Sequence, residues 1–185
     1  MSVTEQEWAG VKLFATDVDG VLTDGTVLYG EGGELAKRFF IRDGMGLRLL
    51  EAAGVKVAVI TSEDSPVVAS RVRRLMLSAY CPGMKRKGDA LKALMQQYGA
   101  TPEQTVFIGD DVNDAEALQI AGISCAPADA TEFARESARF VAGKPGGLGA
   151  VREIADLVLA AKGISAEQLW QSIHKQAESH DVGSV

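Results

Sequence analysis

The chain has 185 residues, of which 46% are hydrophobic and 24% charged, and a formal net charge of −6. That length suits one domain with a buried core, and the acidic balance excludes a general nucleic-acid binder, which needs a basic surface. No apolar run reaches ~18 residues, so no membrane span is predicted, and the opening residues lack the basic-then-apolar pattern of a signal peptide.

The first predicted strand is VKLFAT (11–16), an apolar run that leads into DVDGVLTDG (17–25). TVLYGEGGELAKRFFI (26–41) follows, two strand-like runs around a Gly-rich turn, which predicts a β-hairpin. Its apolar residues Val27, Leu28, Tyr29, Phe39 and Phe40 need burial, and a hairpin alone is marginal, so a neighbouring subunit is expected to cover them. MGLRLLEAAG (45–54) places Leu47, Leu50 and Ala53 at helical spacing before a glycine stop. VKVAVI (55–60) has the β-branched, nearly all-apolar character of a strand covered on both faces. Helices are predicted over 66–75, after a Ser/Asp start, and over 89–98, where Leu91, Leu94 and Met95 share a face. TVFI (105–108) is a third buried strand and runs into GDDVND (109–114). A helix over 115–120, weaker strands ISCAP (123–127) and RFVA (139–142), and a helix over 150–161 complete the series.

Strand–helix alternation implies an α/β fold: a doubly wound, Rossmann-like parallel sheet with helices on both faces, and the hairpin as a flap. The domain is expected to span 1–163. Residues 164–185 are expected to form a short helix, capped by Ser165, and a polar tail. Ligands of such folds sit beyond the carboxyl ends of the strands, and both acidic motifs fall there.

Asp17 and Asp19 are two residues apart just past a strand end, so both can reach one ligand. That suits an aspartyl nucleophile beside an aspartic acid that moves protons. A DxDG alone reads equally well as a turn with capping aspartates; the second acidic motif shifts the balance. Asp110, Asp111 and Asp114, with Asn113, exceed what a helix cap requires. Acids that converge from two strands repel one another, and a divalent cation relieves them. Thr61 and Ser62 follow the strand 55–60 directly, where they suit either a phosphoryl-binding turn or the cap of the next helix. Lys87 ends the basic stretch Lys85–Arg86–Lys87; it suits either a solvated surface or the neutralisation of phosphate and of Asp17.

Other chemistries lack their residues. The only histidines, His174 and His180, lie in the polar tail, which excludes a histidine base in the core. Cys81 and Cys125 are far apart and form no metal spacing, as in a cytoplasmic protein with reduced thiols. No GxSxG or GxGxxG is present, and GMKRKG (83–88) is followed by Asp89 and Ala90 where a P-loop needs Lys and Ser or Thr.

The order DxDG, Thr, Lys, GDDxxD resembles that of the haloacid dehalogenase-like phosphatases over residues 11–158. DVDGVLTDG, the hairpin, DGMGLRLL, the short spacing from Lys87 to GDDVND, and GGLGAVRE (146–153) are similar to the capless phosphatases of 3-deoxy-D-manno-octulosonate 8-phosphate and of keto-deoxy-nononate 9-phosphate. The resemblance implies a cytoplasmic, Mg²⁺-dependent, typically tetrameric hydrolase of a phosphorylated sugar acid, in lipopolysaccharide biosynthesis for the octulosonate branch. The hairpin and the C-terminal GGLGAVRE segment would lie at subunit interfaces, and no cap domain is expected. It makes Asp17 the nucleophile and Asp19 the general acid/base. Asp17, the Asp19 carbonyl and Asp110 become metal ligands, with Asp111 or Asp114 in support. Thr61, Ser62, Glu63, Lys87, Arg74 and Asn113 are the expected substrate contacts. Ser62 and Glu63 replace the Gly and Arg usual in the octulosonate branch, and Leu148 replaces a residue that is often charged. Glu63, free to bind sugar hydroxyls or to pair with Arg71 or Arg74, points to a nine-carbon substrate. The competing reading is a catalytically silent binding or regulatory domain of the same fold, or a small phosphatase of another metabolite.

Overall fold

The computed structural model describes residues 2–171 and residue 173. Most of the predicted polar tail, including both histidines, lies outside the described residues.

The central strand is β1 (Leu13–Thr16), flanked in parallel by β4 (Lys56–Ile60) and β6 (Thr105–Ile108). Thr16 is opposite Val59 on one side and Ile108 on the other, so all three strands end at the same level. β5 (Ala79–Cys81) extends the sheet beyond β4, while β7 (Ile123–Ala126) and β8 (Phe140–Val141) extend it beyond β6, giving the order β5-β4-β1-β6-β7-β8. The chain therefore winds outward from β1 to β5 and then returns to the other side of β1. That reversal is the place where a doubly wound sheet opens a crevice.

Side-chain alternation along the strands divides the core in two. Phe14, Val57, Val59, Val106 and Ile108 pack on α2 (Ile41–Ala52), α3 (Pro66–Leu75) and α7 (Ala150–Ala161) through Leu47, Leu50, Val72, Ile154 and Val158. Leu13, Ala15, Ala58, Ile60 and Phe107 pack on α4 (Lys87–Tyr98) and α5 (Ala115–Ile120) through Leu91, Leu94, Ala117 and Leu118. The predicted two-faced sheet is present. The pattern did not mark α1 (Glu5–Ala9), which a Thr4–Glu7 capping box starts, nor β5 or α6 (Glu132–Ser137). These elements are three to six residues long, too short for a periodicity to show.

The hairpin, β2 (Thr23–Gly30) and β3 (Gly33–Phe39), forms a separate two-stranded sheet. It starts inside the first acidic motif, three residues before its predicted start, and turns at Glu31 and Gly32, with Gly33 at φ 102°. Phe39 packs against the core, but Leu28 and Tyr29 remain 60% and 73% exposed.

One contact ties the start of α7 to α2. The residue before α7 is Gly149, which has no side chain to cap the first turn. Asp43, in the first turn of α2 and 1% exposed, supplies the cap instead: its carboxylate accepts from Gly149 N at 3.3 Å and Arg152 N at 2.8 Å. Helix starts need such acceptors for their free N–H groups. Replacing Asp43 by Ala is expected to lower folding stability by about 1–3 kcal/mol, read as a lower urea midpoint. A midpoint equal to that of the parent chain would show the cap to be dispensable.

Candidate active site

The carboxyl ends of β1, β4 and β6 open on a cleft of about 280 Å³ lined by Asp17, Asp19, Thr61, Ser62, Glu63, Asp110, Asp111 and Asn113, together with Gly20 and Gly25. Each strand delivers its motif directly. Asp17 follows β1, and its N–H still bonds Ile108 O at 2.9 Å, so the ladder with β6 holds the backbone of this residue. Thr61 follows β4 in the same way, donating from its N–H to Cys81 O at 3.0 Å.

Beneath the cleft lies Lys87, the first residue of α4. The helix starts two residues before its predicted start, and this turns Lys87 inward while Lys85 and Arg86 stay exposed. The Lys87 ammonium, 1% exposed, lies 2.8 Å from Asp17 Oδ2 and 2.7 Å from Asp114 Oδ1. Asp114 is fully buried, and its other oxygen accepts from Asp110 N at 2.9 Å. Asp114 thus fastens both the lysine and the Asp110 loop. Thr131 completes the support of that loop: its N–H and its hydroxyl both donate to Asp110 O, at 2.9 and 3.0 Å.

Asp17, Asp110 and Asp114 each place a carboxylate oxygen within 4.8 Å of the other two. Three carboxylates against one ammonium leave two formal negative charges in a space that water barely reaches. Burial, followed by repulsion from Asp114, pushes the Asp17 carboxyl up, against the pull of Lys87. Asp110 is pushed up to about 7, again by burial and then by Asp114. Burial also works against the Lys87 ammonium, but Asp17 and Asp114 outweigh it and its pKa is raised. The lysine is charged and the acids are under strain, a balance that suits a divalent cation. Gly20 fits the same picture. Its φ is +80°, and a Cβ there would lie 2.0 Å from Asp110 Oδ2, so only glycine lets the two loops close.

The remaining candidates separate. Ser65, not Thr61 or Ser62, caps α3, accepting from Val68 N at 3.2 Å. Thr61 and Ser62 are thereby left at the cleft. Glu63 is exposed on the rim, with Lys85 Nζ 4.0 Å away. Arg71 stacks over Phe39, 5.8 Å from the ring centre, and Arg74 lies exposed on α3 without lining the cleft. Asp111 is exposed and caps its own turn through Val112 N at 2.7 Å, so among the acids of GDDVND it is Asp110 and Asp114 that face Asp17. Sequence reasoning missed Lys37, whose ammonium lies 2.6 and 2.7 Å from the two Asp19 oxygens. Its only signal was a pair of adjacent bases in a strand, Lys37 and Arg38, which must point to opposite faces.

A family model described as haloacid dehalogenase-like hydrolase matches residues 32–122. The 3-deoxy-D-manno-octulosonate 8-phosphate phosphatase of Haemophilus influenzae is 41% identical over 162 residues, which cover 88% of this chain and 90% of the relative. The enzyme of the same name from Escherichia coli K12 is 37% identical over 163 residues, 88% of this chain and 87% of the relative. Among solved structures, the cobalt-bound octulosonate phosphatase of H. influenzae superposes with a TM-score of 0.83 at 41% identity, over 85% of this chain and 92% of that one. The Moraxella catarrhalis enzyme in complex with magnesium, phosphate and KDO gives a TM-score of 0.82 at 36% identity, over 86% and 91%. With sheet order, acidic cluster and relatives in agreement, the chain belongs to the haloacid dehalogenase-like hydrolases and is a phosphoric monoester hydrolase of the octulosonate-phosphatase family.

Proposed function

We propose that this enzyme is a Mg²⁺-dependent phosphatase of a keto-deoxy sugar acid phosphate, with 3-deoxy-D-manno-octulosonate 8-phosphate as the preferred substrate. One observation carries the reading: Asp17 sits buried at the end of β1, with a charged lysine on one oxygen and the open cleft before it. A carboxylate so placed is a nucleophile that cannot drift.

Asp17 attacks phosphorus in line, the phosphorus–sugar oxygen bond breaks, and Asp19 gives its proton to the leaving oxygen. The aspartyl phosphate is then attacked by water, whose proton passes to Asp19; phosphate leaves and the Asp17 carboxylate returns. Thr61 and Lys87 hold the phosphoryl oxygens. Asp17, the Asp19 carbonyl and Asp110 are the proposed Mg²⁺ ligands, with Asp114 in support through its hold on Lys87 and on the Asp110 loop. When bound, the ion offsets negative charge on the transferring phosphoryl group. The exposed Leu28, Tyr29 and Leu35 of the hairpin support the proposed homotetramer, with the hairpin and the GGLGAVRE segment at its interfaces. The free thiols of Cys81 and Cys125 suit a cytoplasmic site of action.

The eight-carbon preference rests on the named relatives. The nine-carbon expectation rested on Glu63, which lines the cleft at its exposed rim, with Lys85 Nζ 4.0 Å away. In a phosphate-release assay with both sugar acid phosphates, kcat/KM is expected to favour the eight-carbon compound; a clear nine-carbon preference would return the choice to Glu63. Asp17→Asn is expected to keep the fold and lose at least about 10⁴-fold in kcat, as for other nucleophile replacements. Substantial turnover in that variant would reject the covalent route. Saturating Mg²⁺ should raise Tm in the parent chain, as ligands of the native state do, and fail to do so in Asp110→Asn. An equal rise in both would place the ion elsewhere.

A further inference from the structure

The flap does more than overhang the cleft. β3 carries Lys37 and Arg38 on opposite faces. Arg38 turns outward to Asp24, while the Lys37 side chain is shielded, with its ammonium on both Asp19 oxygens and 3.4 Å from Glu34 Oε2. Glu34 in turn accepts a hydrogen bond from the Ser65 hydroxyl, and Ser65 caps α3. A continuous chain of charge-assisted contacts therefore runs from the start of α3, through the hairpin, to the proton-handling acid. Burial disfavours the lysine ammonium, but Asp19 and Glu34 together outweigh it. Tyr80, on β5, lies at the same junction: burial first and then Asp64 raise its pKa, and Lys37, Glu34 and Asp19 also act on it. Its hydroxyl is buried without a hydrogen-bond partner among the described residues.

We propose that Lys37 is a positioning residue for the phosphatase reaction: through its contact with both Asp19 oxygens, and held by Glu34, it fixes the Asp19 carboxyl group facing the leaving oxygen. The inference rests on the role assigned to Asp19. It follows from geometry. Asp19 stands in a turn between Val18 and Gly20, with its side chain 30% exposed, and among the described residues Lys37 is the side chain that hydrogen-bonds its carboxylate. Without the lysine, such a carboxylate has other rotamers open to it. Proton transfer requires it at hydrogen-bond distance from the reacting oxygen.

The leaving group makes the test specific. A sugar alkoxide departs only with a proton, whereas 4-nitrophenolate departs without one. The full chain is assayed with Mg²⁺ on ring-substituted phenyl phosphates, from 4-nitrophenyl to unsubstituted phenyl, and on the octulosonate 8-phosphate. kcat/KM is followed because it reports the steps through cleavage of the ester. In Lys37→Met, kcat/KM is expected to stay within about 3-fold of the parent for 4-nitrophenyl phosphate. For the sugar phosphate it is expected to fall about 10- to 100-fold, part of the general-acid contribution, with a progressive loss along the phenyl series. Glu34→Gln, which keeps the lysine but loosens it, should show the same trend more weakly. An equal fall for every leaving group, an unchanged profile, or loss of all activity with the fold in both variants overturns the proposal. A parent enzyme inactive on the sugar phosphate but active on the phenyl series would count against the proposed substrate alone, and the phenyl series would still decide the role of Lys37.

Discussion

Everything at the cleft depends on one buried ammonium. Lys87 stands between Asp17 and Asp114, each less than 3 Å away, and among the described residues no other cation approaches as closely to either carboxylate. Without it, three acids would meet in a nearly dry space with nothing to offset them, a burden of several kcal/mol for a fold only 5–15 kcal/mol stable. The lysine therefore makes the site foldable before it makes it reactive. It also sets a limit, because one positive charge cannot balance three negative ones. The residual charge suits a divalent cation, which would supply the field that phosphoryl transfer requires. Lys87 thus bears on both the stability of the site and the charge it presents to the cleft.

Much of this was legible in the sequence because the signals are local. VKLFAT, VKVAVI and TVFI are short, apolar and followed at once by polar residues, so strand and site announce one another. Once β1, β4 and β6 are parallel neighbours, Asp17, Thr61 and Asp110 must end at one edge. What depended on long-range packing was not legible. The burial of Lys87 follows from where α4 begins, a matter of two residues. The exposure of Arg74 follows from the rotation of α3. The choice between Asp111 and Asp114 follows from a 3-10 turn at Val112–Asp114 that spends the Asp111 carboxylate on its own N–H. The adjacent bases of β3 carry no mark to say which one turns inward.

The hairpin shows why parity matters so much. Its two strands are joined in the chain to the first acidic motif and to the start of α2, and its charges, with Phe39 against the core, decide how it sits. Arg38 with Asp24 on the outside and Lys37 with Asp19 and Glu34 on the inside pin it from both faces. A slip of one residue would exchange the two bases and leave Asp19 without its partner. The apolar side chains left exposed on the hairpin do not oppose this register, since they lie away from the core.

Glycine explains how the loops come close enough for any of these contacts. Gly20 admits Asp110, and Gly109 admits Asp114, whose Cβ would lie 2.5 Å from a Cβ at that position. On the far side, Gly147 N bonds Val21 O at 2.9 Å, and a Cβ on Gly147 would lie 2.4 Å from the carbonyl carbon of Thr23. The Asp17 loop is thus pressed between the Asp110 side chain on one side and the backbone at 146–147 on the other. A backbone has no rotamers to change, so on that side the loop has little room to move. Asp129 secures the segment 146–149 by accepting from Gly146 N at 2.8 Å, and Asp43 secures it again at the start of α7. In a phosphatase, where positioning and fixed charge supply most of the rate, the close backbone approach that Gly146 and Gly147 allow bears on how firmly the Asp17 loop is held.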